Sequence, residues 1–486
     1  MMNLTENNLK DLKDNVDQLF VVLMGIIVML MQAGFAFLEA GSVRSKNTTN
    51  ILIKNLLDSF VAGITYWIVG YTVAYGKGNS FIGWTYWASY DLPLSSFGIY
   101  FFQYTFAASA ATIVSGALAE RCEFMAYIVY SIVITGFIYP VVSRWAWDPA
   151  GWLFVGSVYT GDNGEEFTVN YQDYAGSGAV HSLGGVAALV GATLLGPRKG
   201  RFSKLNKMAA PLRGHSVPLA AFGGFILLFG FLAFNGGSQL NLTGEGSAVA
   251  VCLSVVNTLI SGSVSAMVSL LMNRIFGNSK WSLLKTLNGA LTGMVATCSG
   301  CNVYRPWSCA ILGVLGAGAF KLTAFTLEKL HIDDPLDVVG VHLGGGIVGV
   351  IALAFLKPEE GIIFQQNRKS ALFLGWQILG LTTIIAWTAG LCFIMFGILK
   401  LFDKLRVSPE LEEKGLDIPK HGENAYPTEA YGHGWDQKLE EILQEIESIK
   451  GDDLKGSLTK RIGQHIKKSK QGSTPSSDFS EVNLHW

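Results

Sequence analysis

The strongest constraint on this chain is a succession of apolar stretches, each ~17–25 residues long, the length a helix needs to cross a bilayer. Eleven such windows can be read along the 486 residues: 19–39, 58–75, 96–119, 125–143, 175–196, 217–237, 247–272, 285–304, 307–327, 337–356 and 371–401. A backbone in hydrocarbon must satisfy its own hydrogen bonds, so the windows predict an all-α polytopic membrane protein with eleven transmembrane helices. Composition agrees. Charged residues make up 15% and apolar ones 50%, with 56 glycines, whereas a soluble domain carries nearer a quarter charged. The formal net charge of -1 and the lack of a basic domain before the far C-terminus give no ground for a nucleic-acid partner.

An odd number of spans puts the termini on opposite sides, and the basic loops choose which is which. Arg44 and Lys46 follow span 1, Arg121 follows span 3, Arg198 to Arg213 fill the loop after span 5, and Arg274 and Lys280 follow span 7. The alternate loops carry acids such as Asp162, Glu165 and Glu166. This predicts the N-terminus outside and the C-terminus inside. Residues 1–17 form an extracellular segment, polar and slightly acidic, without the basic start and short apolar core of a cleavable signal. Residues 18–402 form the membrane domain, and 403–486 a cytoplasmic tail.

One phrase occurs twice. Asp173-Tyr-Ala-Gly-Ser-Gly-Ala-Val-His181-Ser-Leu-Gly-Gly185 opens span 5, and Asp337-Val-Val-Gly-Val-His342-Leu-Gly-Gly-Gly346 opens span 10. At ~1.5 Å per residue, Asp173 and His181 stand roughly 12 Å apart along a helix. Ionisable residues at that depth are costly and mark pathways or relays. Five spans separate the copies, so a five-helix repeat must be inverted in the membrane, an arrangement of many transporters. The halves are then about 18–196 and 217–356, with 371–401 an extra helix. His181 would lie below the outer mouth, and His342 would approach the centre from the cytoplasmic end. The glycines one turn beyond each histidine suit close helix packing.

Other features are weaker. Six cysteines are too few for a disulfide scaffold, and the lone Cys298-x-x-Cys301 lacks a second ligand pair for a metal. In the tail, Leu439, Ile442, Ile446 and Ile449 mark a short amphipathic helix, and the last twenty residues, from Lys467, read as disordered. Asn3-Leu-Thr5 and Asn241-Leu-Thr243 are glycosylation candidates on the predicted outer side, while Asn47-Thr-Thr49 faces inward.

A metal cation crossing such spans would need rings of oxygen ligands, and the windows hold no acidic or carbonyl-rich filter. A protonated base has another route. Desolvation lowers its pKa, so it can shed the proton and continue as a neutral molecule. Paired neutral imidazoles suit that passage, since each nitrogen can donate or accept and the pair can hand a proton along. Aromatic faces at the mouth would attract the cation before it loses charge.

Several runs together resemble the Amt branch of the ammonium transporter/Mep/Rh family: Gly34-Phe-Ala-Phe-Leu-Glu-Ala-Gly-Ser-Val-Arg-Ser-Lys-Asn47, Gly116-Ala-Leu-Ala-Glu-Arg121, Asp173 to Gly185, Phe234-Asn-Gly-Gly-Ser238, Val341-His342, Gly415-Leu-Asp417 and His421-Gly-Glu-Asn-Ala-Tyr426. The resemblance covers roughly residues 18–430. It implies a plasma-membrane homotrimer of eleven-helix subunits, each with its own narrow apolar pore, carrying ammonium or ammonia without cofactor or metal. Position by position, it implies that His181 and His342 are the twin pore histidines. Phe106 and Phe234 would be the stacked gate. Phe102, Trp147 and Ser238 would form the outer recruitment site, with Asp173 as its brace and Trp145 as the alternative tryptophan.

Each residue also has a plainer reading. A membrane histidine can simply bond a neighbouring helix, Asp173 can cap its helix, the phenylalanines can face lipid or core, and Trp147 can belong to an interfacial belt. Ser238 can be part of a helix-end turn beside Gly236 and Gly237. The chain departs from the family pattern twice: Pro419 stands where plant members carry a phosphorylated threonine, and Arg305 stands where glutamate is expected. The rival functions are a Rh-type gas channel for ammonia or carbon dioxide, and an ammonium sensor signalling through the tail. An enzyme using Asp173, His181 and His342 as metal ligands is a poorer fit, lacking a third converging ligand set and a substrate pocket.

Overall fold

A computed structural model describes residues 2–161, 164–202, 209–210, 212–276 and 280–431, with side chains from residue 6 onward except at 429. The chain divides into two units, residues 1–425 and 426–486. Of the second, only a short turn, Thr428–Tyr431, is described. The amphipathic helix expected near Leu439 and the polar end therefore lie outside the described residues, as does the side chain of Asn3.

Among the described residues, nine helices are long and apolar enough to cross a membrane: α1 (Glu6–Ser42), α2 (Ser45–Tyr75), α3 (Leu94–Leu118), α4 (Phe124–Val155), α5 (Ser177–Leu195), α6 (Val217–Gly237), α7 (Ser247–Phe276), α9 (Pro306–Lys329) and α11 (Arg368–Leu401). Between them lie two shorter helices, α8 (Leu283–Thr297) and α10 (Gly340–Leu356), in the eighth and tenth expected windows. A short helix, α12 (Pro409–Lys414), follows in the tail. Large apolar side chains such as Phe225, Phe325 and Phe393 lie exposed on the outer helix faces, 61%, 56% and 60%, as a lipid-facing surface requires.

Three details differ from the sequence expectation. The polar N-terminal segment is helical from Met2 and runs unbroken into α1. Asp17 anchors it, accepting from the Leu242 and Thr243 backbone N–H groups at 2.7 and 2.8 Å and from the Thr243 hydroxyl at 2.7 Å. A two-stranded antiparallel hairpin, β1 (Ser157–Thr160) and β2 (Glu166–Val169), interrupts the otherwise helical fold between α4 and α5. Finally, α8 stops well short of its window. The carbonyls that follow its end find other donors: Tyr174 and Ala175 donate to Ser299 O and Cys298 O at 3.0 and 2.9 Å. Asn257 bridges Cys301 O and Tyr304 O at 2.8 and 2.7 Å. Broken backbone at membrane depth is tolerated where protein satisfies it in this way.

At one end of the bundle the basic loops gather on buried acids. Arg198 forks onto Asp333 at 2.8 and 3.1 Å and reaches Glu120 at 3.1 Å, while Arg44 holds the other Glu120 oxygen at 3.0 Å. Burial opposes ionisation of both acids, but the arginines outweigh it: Glu120 sits below its ordinary value, and Asp333 is held down to about 2. The tail docks here. Arg406 bonds Glu412 of α12 at 2.8 Å, Leu416 N donates to Asn47 Oδ1 at 3.0 Å, and Asp417 accepts Asn50 N at 2.9 Å. Pro419 lies in the following turn, Asp417–His421. Arg305 precedes α9, its guanidinium 5.8 Å from the Phe364 ring centre.

Candidate functional site

The two halves of the site come from the starts of α5 and α10, and both starts are wound locally as π-helix, over Ser177–Ser182 and Gly340–Gly344. Such bulges inside α-helices are frequent at functional sites. Before α5, the chain turns at Gly176 with φ +90°, a left-handed conformation that glycine adopts without a Cβ clash. Asp173 then caps the helix: one carboxylate oxygen accepts from Gly178 N and Ala179 N, each at 2.9 Å, and from the Tyr171 hydroxyl at 3.1 Å. Its other oxygen is buried without a hydrogen-bond partner among the described residues. Burial pushes the Asp173 carboxyl up to about 6 against the pull of those donors.

The structure corrects the alignment of the repeated phrase. Asp334, not Asp337, stands where Asp173 stands: it accepts Val339 N at 2.8 Å, five residues on, and precedes His342 by eight. Asp337 takes the place of Gly176, with φ +60°, and spends its carboxylate on Lys285 at 2.6 Å. In this register the glycines interlock reciprocally. A Cβ on Gly185 would lie 2.5 Å from Leu343 N, and one on Gly346 would lie 3.0 Å from Ser182 N. Those close approaches bring the two histidines together.

His181 and His342 meet through their Nδ1 atoms at 3.2 Å, with ring centres 5.3 Å apart and planes at 21°. Two N–H groups or two lone pairs at that distance would repel, so in the neutral pair one Nδ1 donates and the other accepts. The outward Nε2 atoms are then unlike, one a lone pair and one an N–H. Nε2 of His181 is buried without a protein partner among the described residues. Phe234 lies 5.4 Å from His181 and stacks on Phe106, ring centres 3.9 Å apart and planes at 14°. Phe102 follows at 4.8 Å from Phe106, and the Trp147 ring stands edge-on to Phe106 at 6.0 Å. The result is a continuous file of rings.

Trp147 donates Nε1–H to the Asp173 carbonyl at 2.6 Å. Trp145, the alternative, is buried among Phe81, Trp152 and Trp387 instead. Ser238 follows the end of α6, its hydroxyl donating to Phe234 O at 2.8 Å. The adjacent Gly237 lies against Phe102, where a Cβ would come within 2.8 Å of the ring. Asn241 is already engaged, its amide donating to Gln239 O at 3.2 Å and its oxygen accepting from Ser247.

Residues 19–426 match the model of the Ammonium Transporter Family. The chain belongs to this family. It is 46% identical over 443 residues to a putative ammonium transporter 1 of Caenorhabditis elegans, covering 87% of this chain and 81% of that protein. To the ammonium transporter Amt2 of Archaeoglobus fulgidus it is 37% identical, with 87% and 91% covered. Among solved structures, one titled Sensor Amt Protein superposes with a TM-score of 0.77 at 31% identity, over 85% of this chain and all of that one. The crystal structure of Saccharomyces cerevisiae Mep2 shares the fold, with a TM-score of 0.70 at 23% identity, over 81% and 88% of the two chains. The protein is thus a multi-helix membrane protein of the ammonium transporters.

Two residues that support this arrangement carried no clear sequence signal. Phe231, stacked on His181 at 5.4 Å and 24°, precedes Phe234 by three residues. Only that helical spacing could have drawn it in. Tyr171 braces Asp173 from outside the repeated phrase.

Proposed function

We propose that the protein carries ammonium across the plasma membrane, recruiting the cation at an outer aromatic site and passing it as ammonia along His181 and His342. The observation that carries this reading is the order of the rings: Trp147 and Phe102 beside Phe106, Phe106 stacked on Phe234, and Phe234 against the His pair. A cation is attracted to aromatic faces, cannot keep its water past the stacked pair, and meets imidazoles that accept hydrogen bonds from a neutral base. Ser238 already donates its proton to Phe234 O, which leaves its lone pairs to accept from ammonium. Asp173 acts behind Trp147 as an electrostatic brace.

Eleven spans, an N-terminus outside and a C-terminus inside complete the proposal. In support, every expected window holds a helix, and the basic loops around Arg44 and Arg198 gather with the docked tail, as the positive-inside rule asks. The reciprocal glycine contacts support an inverted repeat. A homotrimer is the proposed assembly. Currents evoked by ammonium or methylammonium in oocytes, against water-injected controls, test the function; their absence together with absent tracer uptake at normal surface expression defeats it. The structural likeness titled Sensor Amt Protein favours one second reading, an ammonium sensor, for which ligand would alter the tail while little ammonium crosses.

A further inference from the structure

Beyond the histidines the passage continues into a cavity of about 30 Å³ lined by His342, Phe231, Leu38, Leu336, Asn288 and Glu39. Leu38, Asn288 and Leu336 also line a wider vestibule of about 720 Å³ that holds Arg198, Lys280 and Asp334. Glu39 is the one carboxylate in the lining of the smaller cavity. It comes from α1, is 2% exposed, and accepts from Ser115 Oγ of α3 at 2.6 Å and Asn55 Nδ2 of α2 at 2.9 Å. Both bonds fall on Oε2, which leaves Oε1 for the cavity. A glutamine could accept the same two bonds, so packing alone does not call for an acid here. An acid here also has a charged neighbour. Lys54 of α2 is that neighbour, its charge acting on Glu39 without direct contact. Its ammonium lies 3.9 Å over the Tyr127 ring and donates to Cys122 O at 2.9 Å, with no carboxylate in ion-pair contact among the described residues. Asp58 of α2 and Tyr127 and Tyr130 of α4 are the other titratable groups near Glu39.

We propose that Glu39 is the proton-holding group at the inner end of the passage: its carboxyl receives the proton that crosses the imidazole pair and returns it to ammonia leaving past His342. The inference rests on the transport reading above. The proton is the one shed by ammonium at the outer site. At Glu39 the O–H bond breaks, its hydrogen forms the fourth N–H bond of ammonium on the nitrogen lone pair, and the carboxylate left behind is recharged through His342. One positive charge crosses per ammonium, and no other reactant is needed.

The test uses full-length protein in oocytes, with current and methylammonium tracer uptake read in the same cells at equal surface expression. Glu39→Gln should keep the hydrogen bonds and the uptake of neutral amine, while the charge carried per amine falls by about a hundred-fold, the usual size of a lost general acid. Glu39→Asp should restore much of that ratio. The wild-type ratio should also vary with inner pH, and this dependence should vanish in Glu39→Gln. Should the glutamine variant fail to reach the surface, the wild-type dependence on inner pH still decides, and a flat profile overturns the proposal. Equal loss of current and uptake in Glu39→Gln would mark the residue as a packing acceptor and overturn it as well. An unchanged ratio does the same while leaving transport standing. Absent uptake by the wild type would instead defeat the transport reading itself.

Discussion

Asp173 and Asp334 hold the same place in the two halves of the chain, each accepting the backbone N–H five residues ahead of it, at 2.9 and 2.8 Å, and each standing eight residues before a paired histidine. A carboxylate at a helix start satisfies donors that have no partner within the helix and favours the positive end of its dipole. Each acid therefore fixes where its helix begins, and so how deep its histidine lies. The 3.2 Å contact between the imidazoles depends on both starts being correct at once.

The histidine pair should act through nitrogen and not through bulk. His181→Ala and His342→Ala are expected to reach the membrane and to abolish or uncouple charge movement. Each removes a hydrogen-bonding wall, so neutral ammonia could still pass, or water could enter and admit the bare cation. Current, tracer uptake and potassium permeation, measured in each variant, separate these outcomes. Unchanged current and selectivity in both variants, at equal surface expression, would remove the central step of the proposed mechanism.

Phe234 is fully buried between Phe106 and His181, so its alanine variant carries a cavity cost of about 3–5 kcal/mol besides any effect on gating. Leucine keeps much of the volume and loses the flat face. Phe234→Leu should therefore express near normally and yet conduct with altered rate or selectivity. Transport indistinguishable from wild type in the leucine variant, with the alanine variant merely less stable, would reduce Phe234 to packing.

Much of this arrangement was legible in the sequence because it is written in local patterns. Apolar windows report on spans directly, and the repeated Val-His phrase picked out both histidines before any contact was known. The register of the second copy was misread, since Asp337 is the nearer acid and the string Asp-x-x-Gly-Val-His looks complete without Asp334. Only the backbone shows that Asp337 replaces a left-handed glycine. The early end of α8 was invisible for a similar reason: the donors that cover the carbonyls after it come from residues 174, 175 and 257, far away in the chain. Glu39 lies in the run Gly34 to Asn47, but one acid in an apolar window says nothing about which cavity it meets.

Sidedness offers an independent check. An epitope placed after Trp486 should be labelled only after permeabilisation. Any glycan should map to Asn3 and not to Asn241. The Asn241 amide is held by Gln239, and the Thr243 hydroxyl of its sequon is bound to Asp17, a few residues beyond the end of α6. Asn3→Gln is expected to remove any glycosidase-sensitive shift, and Asn241→Gln to leave it. Surface labelling of the tail in intact cells would overturn the topology.

In the proposed topology Asp173 ties the site to outer pH. Burial raises its carboxyl from the ordinary 3.8 to about 6, so between those values the native protein holds a proton that the unfolded chain has released. Native stability therefore falls as pH rises through that window. The ionised form above it costs on the order of 3 kcal/mol relative to an unperturbed acid. That cost is what a cation at the Trp147 site can relieve, because only the carboxylate attracts it. Apparent affinity for methylammonium should accordingly weaken as outer pH drops through about 6. Asp173→Asn should bind more weakly throughout and lose this pH dependence, while its side-chain oxygen still caps Gly178 and Ala179. Affinity measured from current at fixed membrane potential across outer pH 5 to 8 provides the comparison. An asparagine variant with the wild-type affinity and pH profile would show that the carboxylate only caps its helix.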